Sequence, residues 1–273
     1  MWLDGSDPAG TGVVPANGTT VSTWYDKSGN GRNAVASSGT ATFQTNIQNS
    51  LGSLLFSSQR YIVTYNSFPV SAYTFIILIY STATSGYFIS GPTDGFIYIG
   101  PRGGYFGTFT GNGTWNDTNA NTPNITTTNT WVIGDMVISG SLLSPFVNGT
   151  SQNTKTGSTG AINSFSIGTH GTLNQEYFSG YAAEVLLYNS ALTTTQRTQV
   201  EGYLAQKWGL VSQLPQGHLG TTSSLYRQVK ISQISLTPLY TQFSPRSIPG
   251  CSLWLDAADP TTISGTSSIT AWN

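Results

Sequence analysis

Hydrolysing a sugar bond on a β-scaffold takes two carboxylates facing one atom. In this 273-residue chain the glutamates are Glu176, Glu184 and Glu201, and none has an acidic neighbour two residues away. Paired carboxylates at strand spacing are therefore missing, and catalysis is not expected. Glu184 is expected to be structural, accepting hydrogen bonds from a helix start or from Arg197. His170 and His218 have no Cys or His partner at zinc-ligand spacing. Nothing marks a nucleophile turn. The segment Asp26-Lys27-Ser28-Gly29-Asn30-Gly31 starts like a calcium loop, but its twelfth position is Ser37 where such a loop places Glu. A turn held by side-chain hydrogen bonds is the expectation there. The best binding chemistry is Asn112-Gly113-Thr114-Trp115-Asn116-Asp117. An indole can stack on the C–H face of a sugar while Asn116 and Asp117 bond its hydroxyls; alternatively Trp115 folds back to anchor its own loop. Tyr98, Arg102 and Tyr105 could line the same sheet face.

Composition narrows the setting of these residues. Charged residues are 8% of the chain and the net charge is −1, against roughly 25% charged in ordinary soluble proteins. That excludes the clustered cationic footprint of a nucleic-acid binder. Hydrophobic residues reach 38% and aromatics 12%, so the chain can fold around a core. Surface polarity must come from Ser, Thr, Asn, Gln and Gly, a mix suited to strands and turns at an extracellular or particle surface. No run has the length of a membrane helix, and the polar start after Met1 does not read as a signal peptide. The lone cysteine, Cys251, allows no internal disulfide and reads as a buried strand residue or an inter-chain bridge. Sequons occur at Asn17, Asn112, Asn116, Asn124 and Asn148, and they matter only in a glycosylating compartment.

The elements that must position these groups are mostly strands. Short apolar or alternating runs fall near 54–56, 61–65, 73–80, 87–90, 96–100, 105–110, 131–139 and 145–147, separated by Gly, Pro, Ser and Asn. Residues 111–130 read as a polar loop, and Asn148-Gly149 as a hairpin turn. In 181–188, Tyr181, Ala183, Val185 and Leu187 are expected on one face, and Ala182, Glu184, Leu186 and Tyr188 on the other. Both faces are apolar enough to need cover. A helix supplies it on one side, with Thr193 and Gln196 as a capping box, Val200, Leu204 and Trp208 as its stripe, and Gly209 at its end. The expected fold class is all-β, a jelly-roll β-sandwich with one short C-terminal helix.

The start of the chain recurs near its end. Trp2-Leu3-Asp4-Gly5-Ser6-Asp7-Pro8 returns as Trp254-Leu255-Asp256-Ala257-Ala258-Asp259-Pro260, and Val21-Ser22-Thr23-Trp24 is echoed by Ile269-Thr270-Ala271-Trp272. Two echoes in order read as a repeat. The expected organisation is a β-sandwich over 1–219, a connecting segment over 220–249 and the opening of a second unit over 250–273.

Three groups of residues resemble the laminin-G-like branch of the concanavalin A-like lectin/glucanase superfamily. They are the Trp2-Leu3-Asp4 start, the Trp24-x-Asp26-Lys27-Ser28-Gly29-Asn30-Gly31 loop, and the 178–218 end with Glu184, Lys207-Trp208-Gly209 and His218. The resemblance implies that Trp2, Asp4, Trp24, Asp26, Gly31, Glu184, Trp208 and His218 belong to the family's structural pattern. It also implies glycan or protein binding, with tandem copies familiar from surface and capsid-associated proteins of large DNA viruses and from bacterial surface proteins. Some relatives bind calcium, which makes Asp117 and Asp135 the candidate ligands and calcium the one candidate cofactor. The expected partners are a glycan or neighbouring copies of the repeat, with no nucleic acid and no membrane span. The expected role is a non-catalytic lectin-like repeat at a cell surface or on a virion, serving glycan binding or adhesion; the alternatives are a structural spacer or assembly module without a ligand and, ranked last, a divergent glycoside hydrolase.

Overall fold

The structure, a computed structural model, describes residues 1–65, 71–91, 97–110, 114–116, 126–156, 164–171, 175–218, 263–264 and 271–272. The first strands are β1 (Trp2–Asp4), β2 (Thr20–Val21), β3 (Thr23–Trp24), β4 (Ala34–Ser38), β5 (Ala41–Gln48), β6 (Leu51–Phe56) and β7 (Arg60–Thr64). Next come β8 (Ala72–Ser81), β9 (Ile89–Ser90), β10 (Ile97–Arg102), β11 (Tyr105–Thr110) and β12 (Thr114–Asn116). They are followed by β13 (Trp131–Ser139), β14 (Leu142–Val147), β15 (Thr150–Ser151), β16 (Lys155–Thr156), β17 (Ser164–Ile167) and β18 (Gly180–Tyr188). Helix α1 (Thr194–Lys207) closes the sandwich, and β19 (Ile263–Ser264) pairs with β20 (Ala271–Trp272) near the chain end.

Two antiparallel sheets face each other. One runs β15-β14-β13-β8-β18-β6-β5-β2, with β1 beside β18 and β16 beside β14; the other runs β12-β11-β10-β9-β17-β7-β4-β3. Between them lies a core of Leu3, Trp24, Phe43, Phe56, Tyr61, Phe75, Ile77, Phe88, Ile99, Phe106, Phe165 and Val185. Such rings contribute about 1.5–3 kcal/mol each when withdrawn from water. The packing is tight enough to demand glycine: a Cβ on Gly134 would lie 2.2 Å from Phe106 Cε2.

A second apolar layer covers the outside of the first sheet. Val200 and Leu204 of α1 and its C-cap Trp208 pack on Ile76, Leu78, Ile133, Ala183 and Leu186. The helix starts as expected, with the Thr193 side chain accepting from the Gln196 N–H and the Gln196 side chain bonding back. It stops at Gly209, whose φ of +69° is left-handed.

The strands depart from the sequence reading in several places, among them β12, which lies within the 111–130 stretch expected to be a loop; two departures bear on the core. First, β18 is not a simple alternation. A β-bulge between Ala182 and Glu184 resets the pleat, so Ala182, Val185 and Leu187 face the inter-sheet core while Ala183, Leu186 and Tyr188 face the helix. Tyr181 and Ala183 therefore lie with the helix layer, and do not share a face with Val185 and Leu187. Second, β4 and β5 were not anticipated. Their sequences, Ala-Val-Ala-Ser-Ser and Ala-Thr-Phe-Gln-Thr-Asn-Ile-Gln, carry too few large apolar residues to stand out.

Candidate functional site: the loop end of the eight-stranded sheet

Residues of the chain start, the turn after β3 and the 178–218 end converge on one buried polar cluster. Glu184 Oε2 accepts from the Trp2 indole N–H at 2.8 Å, and Oε1 from the Trp208 indole N–H at 2.7 Å. Lys207 Nζ lies 2.8 Å from Glu184 and 2.9 Å from Asp4. Lys27 Nζ lies 3.2 Å from Asp4 and 2.9 Å from Asp7. The alternating chain Asp7–Lys27–Asp4–Lys207–Glu184 thus ties β1, the loop after β3, β18 and the end of α1 together. Burial opposes ionisation of Asp4, but Lys207 and Lys27 together hold its carboxyl well below the usual range. Burial raises Glu184 despite the opposing charge of Lys207. Asp26 is the pin of its turn: Oδ1 accepts from the Trp2 and Ser28 N–H groups and Oδ2 from that of Arg32. Its oxygens serve backbone donors, as expected of a turn, and Gly31 sits in that turn at φ +67°. The buried indole of Trp24 fills the core beside it.

A second buried cluster sits under α1. Arg197 pairs with Glu201 and lies 3.4 Å from Asp135, and His218 Nε2 donates to Glu201 Oε2 at 2.8 Å. Arg197 also stacks over Phe146. Burial, then the charge of Glu201, pushes the Asp135 carboxyl well up, while burial pushes the His218 imidazole down. Arg197 is the cation between the Asp135 and Glu201 carboxyls, and burial raises Glu201 as well. Two expectations change here. Glu184 does not meet Arg197; the guanidinium belongs to Asp135 and Glu201. Asp135 is a poor calcium ligand, because it is fully buried and a guanidinium already occupies the cationic position beside it. Among the described residues no group of His, Cys, Asp or Glu is arranged to hold a metal, and Asp117 lies outside the described residues.

The exposed chemistry gathers elsewhere, at one end of the second sheet. The hairpin between β10 and β11 turns through Gly103 and Gly104, both at positive φ, and its base pairs Arg102 with Tyr105. The loop after β8 lies against this tip, with Gly86 N–H donating to Pro101 O and Gly104 N–H to Thr84 O. Tyr87 N–H donates to Glu176 O, which brings the segment before β18 to the same place. Tyr98 is buried on the sheet and bonds Pro101 O at 2.6 Å. Over it stands the Tyr87 ring, centroids 4.4 Å apart, and His170 lies 4.2 Å from Tyr87. Glu176, exposed and at φ +52°, lies 3.6 Å from His170 Nδ1. Tyr87, Arg102, Tyr105 and His170 remain partly exposed. The result is a partly exposed Tyr87 ring, seated edge-on over buried Tyr98, with a guanidinium, an imidazole and a carboxylate around it.

Sequence reasoning placed Tyr98, Arg102 and Tyr105 on one face, and the structure brings them to one hairpin. It missed Tyr87, His170 and Glu176, which are far apart in sequence and meet only through loop contacts. The backbone of Trp115 and Asn116 forms β12, in the register row Trp115–Phe109–Tyr98–Ser90–Ser166 that crosses the sheet. Of the sequons, Asn17 is exposed, while Asn112 and Asn124 lie outside the described residues. Asn148 is a correction: it is buried in the hairpin turn after β14 and its Oδ1 accepts from Ile133 N–H at 2.9 Å. Its amide is unavailable to a glycan in the folded chain.

Two antiparallel sheets packed face to face and covered on one side by a helix define a jelly-roll β-sandwich. The chain belongs to the concanavalin A-like lectin/glucanases superfamily, whose laminin-G family model matches residues 56–196. No curated protein matches the sequence. Among solved structures, the binding domain of Paraclostridial Mosquitocidal Protein 1 is similar with a TM-score of 0.54 and 15% identity, over 68% of this chain and 51% of that one. Domain 4 of AbnA, an extracellular GH43 arabinanase from Geobacillus stearothermophilus solved with arabinotriose, has a TM-score of 0.46 at 15% identity, over 66% of this chain and 97% of that one. The botulinum neurotoxin serotype D binding domain has a TM-score of 0.47 at 13% identity, over 63% and 47%. This chain spans about half the length of the mosquitocidal-protein and neurotoxin binding domains.

Proposed function

We propose that this chain is a non-catalytic glycan-binding module, repeated in tandem in a surface or virion protein, and that it binds sugar at the loop end of the eight-stranded sheet. The observation that carries the reading is the partly exposed Tyr87 ring, standing edge-to-face on buried Tyr98 and bordered by Arg102, Tyr105, His170 and Glu176. A pyranose stacks its C–H face on such a ring, and the polar groups at the border bond its hydroxyls. Every described carboxylate other than Glu176 is committed to internal partners, which supports binding without hydrolysis.

The test is a glycan array probed with the purified chain, with calcium and again with chelator. Binding in both buffers, lost in Tyr87→Ala, is the expected result. Binding lost on chelation would move the site to Asp117 and a calcium ion. Absence of binding in both buffers would favour the second reading, a spacer whose units only dock on one another. That reading draws on the repeated Trp-Leu-Asp motif, whose first copy is wholly consumed in holding the fold.

A further inference from the structure

The β1 strand lies in a cradle with a defined shape. Leu3 enters the core, Trp2 reaches Glu184, Asp4 reaches Lys27 and Lys207, and the backbone pairs Trp2 with Leu186 and Asp4 with Glu184. The next residue, Gly5, donates its N–H to Ala183 O at 2.6 Å. At this point the bulge in β18 turns two successive carbonyls toward it. A Cβ on Gly5 would lie 2.5 Å from Ala182 O and 2.7 Å from Ala183 O, well inside van der Waals contact with backbone atoms that have no rotamer to escape into. Ser6 then adds a hydroxyl that donates to Asp4 Oδ1 at 2.6 Å.

The second copy of the motif keeps each side chain that fills the cradle. Trp254, Leu255, Asp256, Asp259 and Pro260 repeat Trp2, Leu3, Asp4, Asp7 and Pro8. It differs at the two positions just described: Ala257 stands where the first copy has Gly5, and Ala258 where it has Ser6. Without that difference the two strands would compete for one cradle, since each carries the same indole, leucine and aspartate. With it, the second strand brings a methyl group onto two carbonyl oxygens and lacks one hydrogen bond to the central aspartate. We propose that Gly5 makes the β1 cradle selective for its own strand, so that the copy bearing Ala257 is refused and neighbouring units do not exchange strands.

The register supplies a direct test in the full chain. With Trp254 in the place of Trp2, the register continued one residue past the end of β18 at Tyr188 sets position 251 level with position 189. Facing residues in a ladder have Cα atoms about 4.5–5.5 Å apart, so a pairing that runs on by that one residue brings the two within the roughly 4.4–6.8 Å a disulfide spans. Asn189 is exposed, and Cys251 is the only native cysteine. The chain carrying Asn189→Cys is equilibrated in a glutathione redox buffer, and the 189–251 disulfide is quantified by peptide mapping. It is then compared with the same chain carrying Ala257→Gly and Ala258→Ser, which leaves the cradle untouched. The expected result is little disulfide with the native second copy and at least a tenfold rise when that copy reads Trp-Leu-Asp-Gly-Ser-Asp-Pro. Equal disulfide in the two chains, or none in either, overturns the proposal. Gly5→Ala is measured separately: a lower urea midpoint is expected, whereas an unchanged or raised midpoint, the usual outcome for Gly→Ala in an accommodating site, also overturns it.

Discussion

Replacing Glu184 with Ala tests whether the motif residues hold the fold together. The substitution removes the acceptor of two buried indole N–H groups, those of Trp2 and Trp208, and one of the two carboxylates beside Lys207. A buried donor left without a partner costs about 1–3 kcal/mol, so two cost about 2–6 kcal/mol. Lys207 keeps Asp4 at 2.9 Å, so the loss of its second partner adds only about 1 kcal/mol. The sum, roughly 3–7 kcal/mol, is a large share of the 5–15 kcal/mol that separates a typical domain from its unfolded chain. With a urea slope of about 2–3 kcal/mol/M, the midpoint should fall by at least about 1 M. Equilibrium urea unfolding followed by tryptophan emission is the assay. Glu184→Gln retains one acceptor and should lose less than half as much. A double-mutant cycle with Lys207→Met should show a coupling of about 1–3 kcal/mol. A shift under about 0.3 M for Glu184→Ala would refute the reasoning and leave the motif without its structural role.

Three further outcomes follow from the same geometry. Asp4 has a folded carboxyl held below its unfolded value of about 3.9, so its contribution is complete above that pH and is lost as pH falls through the folded value; acid unfolding below about pH 4 should be less steep in Asp4→Asn than in the native chain. Asp135 has the opposite sign: its folded value is raised, so its contribution is present below the unfolded value and is lost as pH rises; because the lowered His218 acts the other way, the expected outcome is a difference, with Asp135→Asn losing more stability, or gaining less, than the native chain between pH 7 and pH 4. Gly134→Ala should lower the melting temperature, because its Cβ would overlap the Phe106 ring, a clash of about 1–3 kcal/mol; Phe106→Leu in the same chain should recover part of it.

Much of the fold was legible because its determinants are local. The capping box at Thr193, the stripe through Trp208 and the Gly209 stop depend on spacing along one helix, and all three occur as expected. The central strands β8, β13 and β18 declared themselves by long apolar runs. The phase of β18 did not, because a bulge is set by how neighbouring strands pair and leaves alternation in the sequence unchanged. Strands β4 and β5 were hidden by their Ser, Thr and Gln content. The buried clusters were half visible: Asp4, Glu184, Trp208 and His218 were recognised as one family pattern, but nothing in their spacing tells that Glu184 meets Lys207 while Arg197 meets Asp135. The site was hardest to see. Arg102 and Tyr105 share a hairpin and could be paired by eye, whereas Tyr87, His170 and Glu176 are assembled by three loops whose approach depends on the whole sandwich.

Binding of sugar at the loop end of the eight-stranded sheet is the claim on which the rest turns. Isothermal titration of the strongest array glycan into the native chain, Tyr87→Ala and Arg102→Ala measures it directly. Loss of one stacked ring should weaken binding at least about tenfold, or 1.4 kcal/mol, while the urea midpoint of each variant stays within about 0.3 M of the native chain. Native affinity in both variants would place the glycan elsewhere and contradict the account.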